Sequence, residues 1–252
     1  MTHPGRPLLV VIDSATRTAV VALGRPDGSL VVADAWAAGH RHGEELLARL
    51  DALLGRAGDG RATLARVAGI VVGTGPGAFT GLRVGIATAK ALAVGLGVPM
   101  VGVPTGTALL AAAGLPDGAL LLPAGPTDRY LVTRGRALLV PAGTEPPLAL
   151  SLEPGAPVEP LPGSAPLPES APPAEPLPTL VAVDLADRAP APALARGNVA
   201  VDGLATALLH LGAARLAAGD VDDVATLAPE YVTLPRGVAA AAGEVTWSPA
   251  RP

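Results

Sequence analysis

The sequence contains no cysteine, and this absence excludes disulfide bridges, thiolate nucleophiles and cysteine-ligated zinc together. Lysine is almost absent too: Lys90 is the single lysine beside 17 arginines, and the formal net charge is -4. Proteins that bind nucleic acid by neutralising phosphates carry an excess of basic residues. The charge balance therefore disfavours direct, strong RNA binding by this chain alone.

Aromatic residues are scarce, at five among 252, although half of the chain is apolar. The apolar residues are mostly small, so each buried position removes less area from water and the core must be closely packed. The first apolar run, Leu8–Ile12, is too short for a signal peptide. The uncharged stretch 91–116 is interrupted by Pro99 and Pro104, which favours buried core over a membrane span. We expect a cytoplasmic protein without membrane contact.

Short apolar runs and one leucine-rich helical repeat organise the first hundred residues. The predicted elements are, in order, strands over 8–12, 18–23 and 29–35, a helix over 44–54, a strand over 67–72, a helix over 80–96 and a strand over 100–103. A turn at Pro26–Gly28 separates the second and third strands. This order predicts a mixed α/β layer.

The second half is less regular. Its predicted elements are strands over 119–122, 130–133, 137–140 and 179–183 and a helix over 202–216 capped by Asp202. Between them, 13 of the 38 residues over 141–178 are proline, which cannot donate ladder hydrogen bonds. This segment is predicted to be a surface excursion that is partly disordered.

Three regions follow from these patterns. We expect an N-terminal lobe over 1–107, a smaller second lobe over 108–236 that contains the proline-rich excursion, and a flexible tail over 237–252.

A glycine-rich loop, Gly73–Gly77, lies between a predicted strand and a predicted helix. Backbone N–H groups at such a helix start can bind phosphate. The nucleotide P-loop, however, needs Lys followed by Ser or Thr, and Lys90 lies well inside the helix. No acidic residue between Asp59 and Asp117 could hold a ribose in a dinucleotide site. A structural turn is the favoured alternative to a phosphate site.

A second candidate is the turn Asp13–Thr16 after the first strand. In one class of two-lobed ATPases an acid and a small-residue turn here approach nucleotide phosphate and metal. This turn contains no glycine, so an ordinary turn with side-chain bonds to the backbone is the alternative. Asp13, Thr16, Gly75 and Gly77 together form a candidate degenerate nucleotide loop.

Small residues recur every four positions along the second helix. They are Gly77, Gly81, Gly85, Ala89, Ala93 and Gly97. Because glycine inside a helix costs about 0.5–1 kcal/mol relative to alanine, the pattern indicates close approach by another element. That element is either within the chain or part of another chain.

Candidate catalytic residues are few. The four histidines include one close pair, His40 and His42, which are two apart and do not share a helix face. None of the six serines lies in a G-x-S-x-G motif. The sequence therefore predicts no catalytic residue, no metal site and no cofactor.

The nine-residue string GPGAFTGLR over Gly75–Arg83, with Leu8–Thr16 before it and the stretch His40–Leu47, resembles the TsaB family. The likeness covers about 8–107, and Pro229–Val232 resembles a further element of that family. The chain departs from the family at 122–130 and in the proline-rich excursion.

The resemblance implies an actin-like ATPase (ribonuclease-H-like, or ASKHA) fold of two lobes with mixed sheets flanked by helices. It implies a non-catalytic scaffold that binds TsaD as a heterodimer and is required for threonylcarbamoyl transfer to N6 of the adenosine beside the tRNA anticodon. TsaE and tRNA would be reached through the complex, and the chain alone would form a homodimer. The residues assigned to the partner interface are His42, Leu46, Leu50, Gly81, Arg83, Val84, Gly85, Thr88 and Ala89.

Two other functions stay open. One is an enzyme of the same fold, either a nucleotide hydrolase that uses Asp13 and the loop Thr74–Gly77, or a peptidase. The other is a fragment of an unrelated sugar or acetate kinase, which the short chain disfavours.

Overall fold

Two sheets and five helices form the described part of the chain. The computed structural model describes residues 6–38, 42–58, 60–134, 136–144, 178–230 and 232. Its elements are β1 Leu8–Asp13, β2 Thr18–Gly24, β3 Leu30–Ala37, α1 His42–Arg56, α2 Gly60–Leu64, β4 Val67–Gly73, α3 Phe79–Leu96, β5 Met100–Val103, α4 Thr105–Ala112, β6 Ala119–Ala124, β7 Asp128–Thr133, β8 Arg136–Val140, β9 Leu180–Ala182 and α5 Ala191–Ala217. A 3-10 turn, Ala186–Arg188, precedes α5.

The first sheet has the strand order β3-β2-β1-β4-β5. β1, β2 and β3 form an antiparallel meander, whereas β4 and β5 continue the sheet parallel to β1. The predicted strands and the turn at Pro26–Gly28 are confirmed, because Gly28 donates its N–H to Arg25 as the chain reverses. The second sheet has the order β8-β7-β6-β9, with β6 and β9 parallel.

Side chains alternate along β1 between two cores. Leu9 and Val11 belong to the core that includes α5, whereas Val10 and Ile12 face the core that includes α1 and α3. This alternation is the period-2 geometry of a strand buried on both faces. α5 contacts strands of both sheets and so connects them.

Two expectations about helices are wrong. The last helix begins at Ala191, so Asp202 lies inside α5 and does not cap it. The residues after Pro104, for which the sequence predicted no helix, form α4. The predicted lobe boundary at 107/108 falls within α4, and the two-lobe division stays a prediction. Most of the proline-rich excursion and the whole of the predicted tail lie outside the described residues.

Candidate functional site: a closed glycine loop, an apolar helix face and a cavity

Asp13 ends β1 and is fully buried. Its carboxylate accepts hydrogen bonds from the Thr105 hydroxyl at 2.7 Å and from the Ala15 N–H at 2.9 Å. Burial raises the pKa of Asp13 to about 6, although both hydrogen bonds act in the opposite direction. The carboxylate thus faces the start of α4 and is not presented to solvent.

The glycine loop packs directly on the turn after β1. Ala78 donates its N–H to the Ala15 carbonyl at 2.7 Å, and Gly75 donates to the Thr105 hydroxyl oxygen at 3.0 Å. A Cβ atom on Gly77 would collide with the Ala15 carbonyl. Gly77 is therefore explained by close approach within the chain, as a structural turn requires.

The candidate degenerate nucleotide loop is brought together, but its polar groups bind one another. The N–H groups of Ala15, Arg17, Gly75 and Ala78 donate to acceptors of the chain itself. The Thr16 hydroxyl donates to the Thr18 carbonyl at 2.8 Å. This geometry favours the structural alternative for this loop, because these donors are not directed at a ligand.

The four-residue stripe of small residues on α3 lies against the chain's own first sheet. Gly81, Gly85 and Ala89 are buried. Ser14 donates its hydroxyl to the Gly81 carbonyl at 2.7 Å, and a Cβ atom on Gly85 would collide with that hydroxyl. The assignment of Gly81, Gly85 and Ala89 to direct contact with a partner is corrected: these residues let the helix approach β1 closely.

The same correction applies to part of α1. Leu46 and Leu50 are buried among residues of the core beneath α1 and α3. His42 lies in the first turn of α1, but its side chain is outside the described part. Arg83 is exposed, and Val84 and Thr88 are half-buried, so these three stay candidates for partner contact.

The outward sides of α1 and α3 form a largely apolar surface that sequence analysis did not single out. We name it the outer helix face; its exposed apolar members and glycines are Leu47, Ala48, Ala52, Gly55, Ala87, Ala91, Val94 and Gly95. Two exposed charged residues, Asp51 and Arg83, lie in the same rows. Val94 is 71% exposed and Leu47 is 57% exposed. α1 and α3 pack beside each other on one face of the first sheet, so both outward rows point the same way.

The apolar character of α3 is the signal that could have revealed this face. Only six of its 18 residues are buried, yet its mean hydropathy reaches 1.3. α3 and α5 are each long and apolar enough to cross a membrane by length and composition alone, a test that core helices of soluble proteins also pass. The regular spacing of small residues marks the inward side of α3. The outward side is apolar too, but without a regular spacing.

A cavity of about 590 Å³ opens between the two sheets. Its walls come from the turn after β1, the glycine loop, the strands β6 to β8 and the segment before residue 231. The ionisable side chains that line it are Arg17, Asp128, Asp184 and Glu230. Sequence analysis predicted none of them as site residues, because they come from four separate parts of the chain. Within the described ranges, no group of three or more His, Asp or Glu side chains is arranged to hold a metal ion.

Comparisons of sequence with known proteins match part of the chain. A family model described as TsaD, tRNA N6-adenosine threonylcarbamoyltransferase, matches residues 36–143. The chain is 36% identical over 97 residues to the tRNA threonylcarbamoyladenosine biosynthesis protein TsaB of Escherichia coli, which covers 38% of this chain and 40% of that protein. It is 36% identical over 96 residues to an uncharacterized protein of Mycobacterium tuberculosis, covering 38% and 44%. The chain thus spans less than half the length of the curated relatives it matches.

The solved structure of YeaZ from Pseudomonas aeruginosa is similar over almost the whole fold. The TM-score is 0.58 at 22% identity, and the match covers 89% of this chain and 99% of that one. A second structure, of an uncharacterized protein with similarity to peptidase YEAZ from the same organism, gives 0.57 at 22% identity. The predicted actin-like α/β fold is confirmed.

Proposed function

We propose that this TsaB-like chain is a non-catalytic subunit that binds a TsaD partner through its outer helix face. In that complex it would be required for threonylcarbamoyl transfer to N6 of the adenosine 3′-adjacent to the anticodon, in tRNAs reading codons that begin with A. The matched relatives support the pathway, since one is described as a threonylcarbamoyladenosine biosynthesis protein. The alternative of a nucleotide hydrolase lacks support from the loop geometry, because the N–H groups of Ala15, Gly75 and Ala78 donate within the chain.

The observation that carries the proposal is the exposure of apolar side chains on two adjacent helices. Val94 and Leu47 are 71% and 57% exposed on helices whose inward sides are already packed. Contiguous apolar surface of this kind is typical of protein interfaces. A partner helix would cover it and remove apolar area from water at about 25 cal/mol per Å².

Two positions on the outer helix face are glycine although no neighbouring atom in the described structure requires a residue without a side chain there. A Cβ atom on Gly55 or Gly95 would meet no atom within 4 Å. Both residues lie in helices, where alanine is favoured by about 0.5–1 kcal/mol. Close approach of another chain would explain Gly55 and Gly95. Gly85 is different, because the space beside it is filled by Ser14 of the chain itself.

The closed glycine loop supports a subunit without its own catalytic centre. The N–H groups of Ala15, Gly75 and Ala78 donate inside the chain, and Asp13 is buried against Thr105. The TsaD partner would then carry out catalysis. This chain would meet TsaE and tRNA only as part of the complex. In the absence of TsaD, the same apolar face would pair two copies of this chain.

Replacing a residue of the outer helix face by arginine tests the proposal. Val94 lies in the last turn of α3, where a cation is compatible with the helix dipole, so Val94→Arg leaves the helix intact. We expect Val94→Arg to abolish co-purification with the TsaD of the same organism after co-expression. The matched control is Val199→Arg on α5, also exposed, at 58%, and far from this face.

Size-exclusion chromatography of the co-expressed pair gives the readout, and the unfolding midpoint of each variant shows that it is folded. Gly85 is unsuitable for this test, because any side chain there perturbs the fold. Retention of the complex by a folded Val94→Arg protein, or loss of it with Val199→Arg, would refute the assignment of the outer helix face.

A further inference from the structure

The cavity between the two sheets has a charge balance opposite to that of a nucleotide site. Three carboxylates, Asp128, Asp184 and Glu230, line it together with one guanidinium, that of Arg17. From these residues we infer that the cavity binds a small organic cation with an apolar body, such as an alkyl or aryl amine. This inference is independent of partner binding, because the cavity does not include the exposed members of the outer helix face.

Glu230 is the carboxylate of this cavity that a bound cation would stabilise most. Its N–H donates to the Thr74 carbonyl at 2.8 Å, which fixes the backbone beside the glycine loop. Within the described ranges its carboxylate has no hydrogen bond or ion pair, although the residue is half-buried. Burial raises the pKa of Glu230, since loss of water disfavours the charged form. A bound ammonium group would form a charge-assisted hydrogen bond with this carboxylate.

The other two carboxylates are held in place by the backbone. Asp184 accepts from the Arg17 N–H at 2.7 Å, and Asp128 accepts from the Ala142 N–H at 3.1 Å. Both side chains are therefore fixed beside the cavity, and their carboxylates contribute negative potential that favours cations over anions.

Phosphate would bind poorly in the same place. It would face three carboxylates, and the nearby N–H groups of Ala15 and Ala78 already donate within the chain. Among the described residues that line the cavity, Arg17 carries the one guanidinium. A nucleotide would therefore have to overcome repulsion by the carboxylates.

The remaining wall suits an apolar body. Leu82, Leu122 and Leu139 line the cavity with the rings of Phe79 and Tyr130. A volume of about 590 Å³ lies within the range of 300–1,000 Å³ typical of small-molecule sites. The cavity therefore combines apolar walls with a few charged groups of mainly one sign.

A series of probes with one shape and three charges tests the inference. Isothermal titration calorimetry of the whole chain would compare 2-phenylethylamine, 2-phenylethanol and 3-phenylpropionate, with Mg-ATP as a fourth ligand. We expect the amine to bind at least about tenfold more tightly than the alcohol, because only the amine can form charge-assisted bonds. The propionate and Mg-ATP should bind more weakly still.

Charge-neutral variants locate the site. Glu230→Gln keeps the shape of the side chain and should weaken amine binding about tenfold, with a smaller loss for Asp128→Asn. Asp187→Asn removes the same charge from an exposed position on the 3-10 turn, outside the cavity, and should leave binding unchanged. Equal affinity for the three phenyl probes, tighter binding of Mg-ATP, or amine binding that survives Glu230→Gln would each overturn the inference.

Discussion

Thr105 donates its hydroxyl to the carboxylate of Asp13 at 2.7 Å, across 92 residues of sequence. The same hydroxyl oxygen accepts the Gly75 N–H at 3.0 Å. One side chain at the start of α4 therefore connects the end of β1 with the glycine loop, in a place where all three residues are buried. This connection holds the loop against β1 and occupies the Gly75 N–H.

Removing this hydroxyl should destabilise the fold. Thr105→Val leaves a buried carboxylate and a buried N–H without their partner, which costs roughly 1–3 kcal/mol. Urea denaturation measures the loss. Thr107→Val, at a half-buried position on the same helix, is the control and should change stability by less than about 0.5 kcal/mol. Equal effects of the two substitutions would contradict the role assigned to Thr105.

Asp13 should make stability depend on pH. Its pKa is about 6 in the folded chain against 3.8 in the unfolded chain, so the folded state holds the proton more tightly. The stabilising contribution is complete below pH 3.8 and is lost as the pH rises to 6, by about 3 kcal/mol in total. Asp13→Asn lacks this dependence. Its stability relative to the unchanged chain should rise between pH 4 and pH 7, and a flat difference in urea titrations would show that Asp13 does not titrate in this range.

Two glycines of α3 should respond oppositely to the same substitution. Gly85→Ala places a methyl group on the Ser14 hydroxyl and should cost roughly 1–3 kcal/mol. Gly95→Ala meets no atom within 4 Å and should stabilise the isolated chain by about 0.5–1 kcal/mol. Thermal unfolding gives both values. A destabilised Gly95→Ala protein would remove the argument that this glycine serves a partner.

The segment after α5 should stabilise the fold mainly through the carboxylate of Asp222. Asp222 accepts the Gly102 N–H at 2.7 Å and also pairs with Arg215, whereas Asp220 pairs with Arg215 alone. Asp222→Ala should therefore cost roughly 1–3 kcal/mol, because it leaves a buried strand N–H unpaired. Asp220→Ala should cost at most about 0.5–1 kcal/mol, as for other exposed ion pairs. Denaturant unfolding measures the loss of stability in each variant. An equal loss in both would show that the ion pairs with Arg215, and not the hydrogen bond to Gly102, provide the stabilisation.

The isolated chain should not bind Mg-ATP in the micromolar range. The N–H groups of Ala15, Gly75 and Ala78 donate within the chain and would have to break these bonds to receive phosphate. Calorimetry on the chain without TsaD tests this. Micromolar binding that Asp13→Ala removes would favour the nucleotide hydrolase alternative.

Local patterns were sufficient to predict the strands. β1, β2 and β4 are apolar runs bounded by turn residues, and their hydrogen bonds join near neighbours in the sheet. α4 was missed because it is eight residues long and begins Thr-Gly-Thr after a proline. The first half of α5 was missed because Gly197 and Asn198 interrupt it, and Gly197 is explained only by contact with the Ala182 carbonyl.

The candidate sites were harder to predict for a related reason. Glycine spacing on α3 indicates close approach, but it does not say which element approaches, and here Ser14 on the adjacent strand end does. The cavity combines side chains from positions 17 to 230, which only the folded topology brings together. These sites could not be predicted from the sequence because their residues lie far apart along the chain.

The segment that follows α5 runs along β5, the last strand of the first sheet. Asp222 donates its N–H to the Met100 carbonyl at 2.9 Å and accepts from Gly102, and farther on Glu230 bonds to Thr74. During synthesis on the ribosome, these covering residues emerge after all nine described strands. The edge of β5 therefore stays open to pairing with other nascent chains until this segment has emerged, and an open strand edge is prone to aggregation.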